Sequence, residues 1–114
     1  MMSFWFYLAS AALLLGRATK KSVLGIVVLN VVVTALKTVT HVRRPNGFDY
    51  MSFPSGHAAN AWYLATLWGF NPFVTTWAVF VSVMRVVERW HSPLDVVVGA
   101  LLGVFAAKNF LPGA

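Results

Sequence analysis

Asp, Glu, Lys and Arg are absent from four long stretches, residues 1–16, 22–36, 50–84 and 96–107, and this constrains the fold more than any other feature. Runs this apolar must lie inside protein or in hydrocarbon, and both demand that the backbone satisfy its own hydrogen bonds. The third run is long enough for two helices. Gly69-Phe70-Asn71-Pro72 divides it, because proline disfavours helix at the residue before it and donates no backbone bond. The chain is therefore expected to be all-α, a transmembrane bundle of about five helices over 2–17, 22–43, 55–69, 72–90 and 93–110. No linker or repeat divides residues 1–114, so they form a single domain.

Composition supports the hydrocarbon alternative. Hydrophobic residues make up 59% and charged residues 11% of the chain, against roughly 25% charged in ordinary soluble domains. Several apolar cores fall short of the roughly 20 residues that cross a bilayer. Helices 2 and 4, however, continue into Lys37 and Arg85, which can face the bundle interior, and basic side chains near helix ends can snorkel. A soluble helical core is the alternative, and it fits the composition less well. The net charge of +6 comes from bases scattered between apolar runs, which argues against nucleic acid and for anionic membrane lipid or a phosphate-bearing substrate. Cysteine is absent, so neither disulfides nor thiolate metal sites form. Residues 1–16 are read as a retained helix, since Arg17, Lys20 and Lys21 follow the apolar stretch, whereas a secretory signal is preceded by its positive charges.

Folding five helices up and down separates the two ends chemically. Arg17, Lys20, Lys21, the Asn71-Pro72 turn and Lys108 fall at one end. The other receives Lys37, His41, Arg43, Arg44, Asp49, His57, Arg85, Glu88, Arg89, His91 and Asp95, so every acid and every histidine of the chain lies there. Trp5 and Trp90 lie toward this chemical end and Trp68 and Trp77 toward the plain one, as interfacial aromatic belts require.

Three short blocks carry the chemistry. In the first, Lys37, His41 and Arg44 share one face if helix 2 continues past its apolar core, and Pro45-Asn46-Gly47 stops it. A basic segment of this kind also suits lipid head groups with no reaction involved. In the second block, Pro54-Ser55-Gly56-His57, Ser55 is an N-cap candidate. Gly56 leaves backbone N–H groups open at the positive end of a helix, where an anion can dock. His57 is then placed to protonate a leaving oxygen, although an ordinary capped helix start with an incidental histidine has the same sequence.

The third block is Arg85, His91 and Asp95. Ser92, Pro93 and Asp95 have the pattern of a helix start, and Ser92 with Asp95 makes a capping box that needs no catalysis. His91 and Asp95, four residues apart, can instead form a His–carboxylate pair that holds the imidazole as a nucleophile. Arg85 offers a planar fork to phosphate oxygens. Glu88, one turn on, reads as a structural partner of Arg85. The spacing matches no metal-ligand pattern and the neighbouring cations repel a metal ion, so metal-independent chemistry without a cofactor is expected.

In this order the blocks resemble the signature of the type 2 phosphatidic acid phosphatase superfamily. They comprise lysine, six residues and Arg44-Pro45; then Pro-Ser-Gly-His; then arginine, five residues, histidine, three residues and aspartate. Ten positions agree across residues 37–95. The resemblance implies that His91 is the nucleophile forming a phosphohistidine, that Asp95 orients it, and that His57 is the general acid. Lys37, Arg44, Arg85, Ser55 and the Gly56 backbone would hold the phosphoryl oxygens. Two departures stand out: Met84 replaces the serine usual before the third-block arginine, and five helices stand where the membrane branch commonly has six, which leaves room for a homo-oligomer.

The sequence thus predicts an integral-membrane phosphatase acting on a lipid phosphate or isoprenyl diphosphate, with a soluble sugar phosphate as the second substrate class. A non-enzymatic small membrane protein binding anionic lipid head groups is the alternative from another class, and the histidines and aspartate at catalytic spacing count against it. If the basic residues of the plain end lie inside, the active site faces away from the cytoplasm.

Overall fold

The computed structural model describes residues 2–109. Among the described residues there are five helices and no strand: α1 (Met2–Gly16), α2 (Lys20–Thr40), α3 (Gly56–Leu67), α4 (Pro72–Val87) and α5 (Pro93–Asn109). Phe110, expected to end the fifth helix, lies outside the described residues.

Each break has a local cause. Thr19 and Ser22 close a reciprocal capping box that starts α2 before its apolar run, and Asn71 Oδ1 accepts from the amides of Phe73 and Val74 ahead of Pro72. The end of α2 differs from expectation. His41 adopts φ 51°, donates its backbone N–H to Lys37 O, and terminates the helix at Thr40. The shared face expected for Lys37, His41 and Arg44 therefore does not form: His41 is exposed and stacks on Tyr50 at 4.6 Å. The fourth helix likewise stops at Val87, because Arg89 takes φ 62°.

α3 is the central helix and contacts all four others. It can do so because it is short and alanine-rich: Ala58, Ala59, Ala61 and Ala65 are fully buried, and small side chains let neighbouring backbones approach closely. The closest approach is that of α5. A Cβ on Gly99 would collide with the carbonyl oxygen of Ser55, and one on Gly103 with that of Ala59. Both contacts advance four residues, so the two helices run parallel with one turn of each matched to one turn of the other.

The remaining core comprises two patches. Leu29, Val33, Tyr63, Leu64 and Ala107 pack between α2, α3 and α5, while Phe6, Ala61, Val74, Ala78 and Val81 pack between α1, α3 and α4. At the plain end, Trp68 Nε1 donates to Leu13 O and Arg17 lies 4.6 Å above the indole. Of the described helices, α2 is long and apolar enough to cross a membrane unaided; α1 and α4 are apolar but shorter.

Candidate functional site

The loop from Val42 to Ser55 gathers the three blocks. It folds back on itself through Ser52 N–H to Val42 O (3.0 Å) and Arg44 N–H to Asp49 O (2.9 Å), and Asn46 N–H ties it to Arg89 O (3.0 Å). Arg44 and the segment after α4 are thereby brought together across 46 residues of chain, with Arg44 Nη1 donating to Trp90 O at 3.1 Å.

A cavity of about 500 Å³ opens beneath this loop, with α3 as its floor and α1 and α2 as walls. Lys37, Arg44, Gly56, His57 and Arg85 line its cationic end. Lys37 Nζ is held by Met51 O at 2.6 Å. Arg44 Nε pairs with Asp49 at 2.6 Å. Burial opposes ionisation of Asp49, but the Met51 N–H and the Arg44 guanidinium outweigh it and hold the carboxyl below its usual range. Trp90 serves both arginines, its ring lying 5.3 Å from the Arg44 guanidinium and 5.5 Å from that of Arg85. Arg85 Nε and His57 Nε2 are buried with no protein partner, a costly state for polar atoms unless something else occupies the cavity. The Phe6 ring packs against the His57 ring with centroids 4.3 Å apart and planes tilted by 36°.

His91, Asp95 and Ser55 lie behind the cavity wall rather than on it. The His91 ring is 2% exposed. Its Nδ1 lies 2.7 Å from Ser52 O, and its Nε2 lies 3.3 Å from Arg44 Nη1. A guanidinium only donates, so Nε2 must be the acceptor and Nδ1 carries the proton. Burial pushes the pKa of His91 down to about 3, with Lys37, Arg44 and Arg85 adding to the effect against the Ser52 carbonyl, which raises it. The ring is therefore neutral, with the Nε2 lone pair directed at Arg44.

The geometry divides the orienting role anticipated for Asp95. Its Oδ2 is 3.9 Å from His91 Nδ1, too long for a hydrogen bond. The same oxygen accepts from Ser92 N–H at 2.8 Å, while Asp95 N–H donates to Ser92 Oγ at 3.2 Å, completing the capping box. It also accepts a hydrogen bond from the hydroxyl of Ser52. Asp95 thus anchors the residue whose carbonyl holds His91. Ser55 is fully buried; its Oγ caps α3 by accepting from Ala58 N–H at 3.2 Å, and its own N–H bonds Asp95 O at 3.0 Å. Glu88 is exposed, and among the described residues no ion pair joins it to Arg85.

Ser52, Asp49 and the shared role of Trp90 were not assigned from sequence. Ser52 precedes the second block by two residues and has no periodic or capping signal. For Asp49 the signal was its place among few acids in a cationic loop.

An all-helical bundle that directs three cations and an imidazole with an unpartnered Nε2 into one cavity, with a second imidazole held neutral behind it, has the chemistry of an oxyanion-handling protein. The chain belongs to the PAP2 superfamily, whose family profile matches residues 2–112. It is similar to the lipid A 1-phosphatase of Porphyromonas gingivalis, with 30% identity over 102 residues, covering 82% of this chain and 23% of the relative. The match therefore spans under a quarter of that relative's length. No solved structure matches the chain.

Proposed function

We propose that this chain is an integral-membrane phosphatase that hydrolyses a lipid phosphate or isoprenyl diphosphate through a phosphohistidine intermediate, with no metal. The observation that carries this reading is the His91 ring, neutral, locked by Ser52 O at 2.7 Å and presenting Nε2 beside Arg44. In the reaction Arg44 moves from the ring onto the phosphoryl oxygens, with Lys37, Arg85 and the Gly56 amide completing the set. His91 Nε2 bonds to phosphorus as the phosphorus–oxygen bond to the leaving group breaks, and His57, which takes up a proton as the phosphoryl dianion enters the cavity, passes that proton to the leaving oxygen. Water then releases phosphate and restores the free imidazole. The cations oppose any divalent metal in the same cavity.

Four further observations favour a membrane and a lipid substrate. α2 has the length and apolarity to span, and the outer helix faces expose large apolar side chains such as Leu15, Phe73, Phe80 and Phe105. The cavity ends in Leu14 and Ile26, a lining that suits a hydrocarbon chain better than a sugar. The relative's name specifies a lipid phosphatase, in keeping with this choice.

The test is phosphate release by purified protein in detergent with excess chelator, from a panel of lipid phosphates and isoprenyl diphosphates, beside His91→Ala. The variant is expected to lose at least about a thousandfold in kcat. No turnover by the parent on any lipid, or equal turnover by the variant, overturns the mechanism; loss of activity on chelation overturns its metal independence.

A further inference from the structure

We propose that the middle of the cavity is a subsite for a hydrogen-bond-donating group of the lipid, a hydroxyl or amide N–H close to its phosphate, and that the preferred substrate is a hydroxylated or N-acylated lipid phosphate. This rests on the phosphatase reading above and specifies its substrate class.

Below the cationic end the cavity passes Ser10 on α1, Asn30 on α2 and Asn60 on α3 before reaching Leu14 and Ile26. Asn60 lies three residues beyond His57, about 4.5 Å along the helix, so this polar band begins one turn from the proposed general acid. The two amides bond each other reciprocally, at 2.8 and 2.9 Å. Each also donates to the carbonyl one turn back on its own helix, Asn30 to Ile26 O at 2.7 Å and Asn60 to Gly56 O at 2.8 Å. These carbonyls dictate the amide orientation, because a flipped side chain would set oxygen against oxygen.

Both N–H donors of each amide are therefore used. What remains is a free lone pair on each Oδ1. Ser10 Oγ, on the opposite wall, is buried with no protein partner. The band is thus richer in acceptors than in donors. A fully esterified lipid brings only carbonyl and ester oxygens to it and meets the amide oxygens unfavourably, and an isoprenyl chain brings nothing polar. A hydroxyl or amide N–H supplies the missing donor, and Ser10 can serve the same group or its carbonyl. The helix pairing of Asn30 and Asn60 accounts for their mutual bonds but not for an unpartnered serine hydroxyl facing the same space.

The experiment compares kcat/KM for a ceramide phosphate with that for a diacylglycerol phosphate of matched chain lengths, in the same detergent. Both carry two chains; only the first has a hydroxyl and an amide N–H. The parent is expected to favour the ceramide phosphate by at least about tenfold, the scale of one well-made hydrogen bond. In Asn30→Leu/Asn60→Leu, which removes both partners together, the ratio is expected to fall to within about twofold of one. A ratio near one or below in the parent overturns the subsite, as does a double variant that keeps the parental ratio. Should that variant fail to fold, Ser10→Ala is read by the same ratio. Release from isoprenyl diphosphate with none from either lipid overturns this proposal alone, whereas no release from any lipid overturns the phosphatase reading too.

Discussion

Ser52 has two roles: its carbonyl sets the tautomer of His91, and its hydroxyl bonds Asp95. The Asp95 carboxylate and the His91 imidazole are therefore coupled through one residue. Ser52→Ala should retain the carbonyl contact but leave Asp95 short of a donor, costing about 1–3 kcal/mol of stability and a moderate part of kcat. Asp95→Asn should act along the same route, so a double-mutant cycle on kcat should show the pair to be non-additive; simple additivity would separate Asp95 from His91. A pH effect belongs at this scale as well. With His91 held down to about 3 in the fold and near 6.5 when unfolded, the unfolded chain binds a proton first as pH drops. Stability is then lost as pH falls from about 6.5 toward 3. The Tm measured across that window should fall less steeply in His91→Gln than in the parent.

Among the elements, the α3–α5 pair governs the site, because Ser55 and Asp95 face each other at its end and are joined by the Ser55 N–H to Asp95 O bond. Gly103→Leu puts a side chain where Ala59 O already stands, so the helices must separate. A loss of about 1–3 kcal/mol is expected from overpacking, read as a lower Tm in detergent together with reduced kcat, since the second and third blocks ride on the two helices. Helix starts were legible from sequence because their causes are local: Asn71-Pro72 and Ser92-Pro93 cap where they stand. The ends of α2 and α4 were less so. His41 and Arg89 enter the left-handed region, which side chains rarely adopt, and nothing in their sequence neighbours requires it; each adjoins a bond to more distant chain, Ser52 N–H to Val42 O beside His41 and Asn46 N–H to Arg89 O.

For the whole molecule, an up-and-down path sorts charge so that one end carries Lys37, Arg44, His57 and Arg85, with His91 beside Arg44, while the other carries Arg17 at Trp68. If the protein spans a bilayer with the plain end inside, single cysteines introduced into this cysteine-free chain will report it. Asn46→Cys should label with an impermeant maleimide from outside intact cells, and Lys20→Cys only after permeabilisation; the reverse pattern places the site on the cytoplasmic side. The sequence by itself determined the helix number, the helix starts and the end of the bundle where the reactive residues collect, because uncharged runs, prolines and caps act over a few residues. Only the tertiary structure decided which of those residues face the cavity. It placed Lys37, Arg44, His57 and Arg85 on the cavity wall, set Ser55, Asp95 and His91 behind it, and gave Ser52 the bond to the imidazole. Those assignments depend on contacts spanning some 40 residues of chain, whose geometry no local pattern encodes.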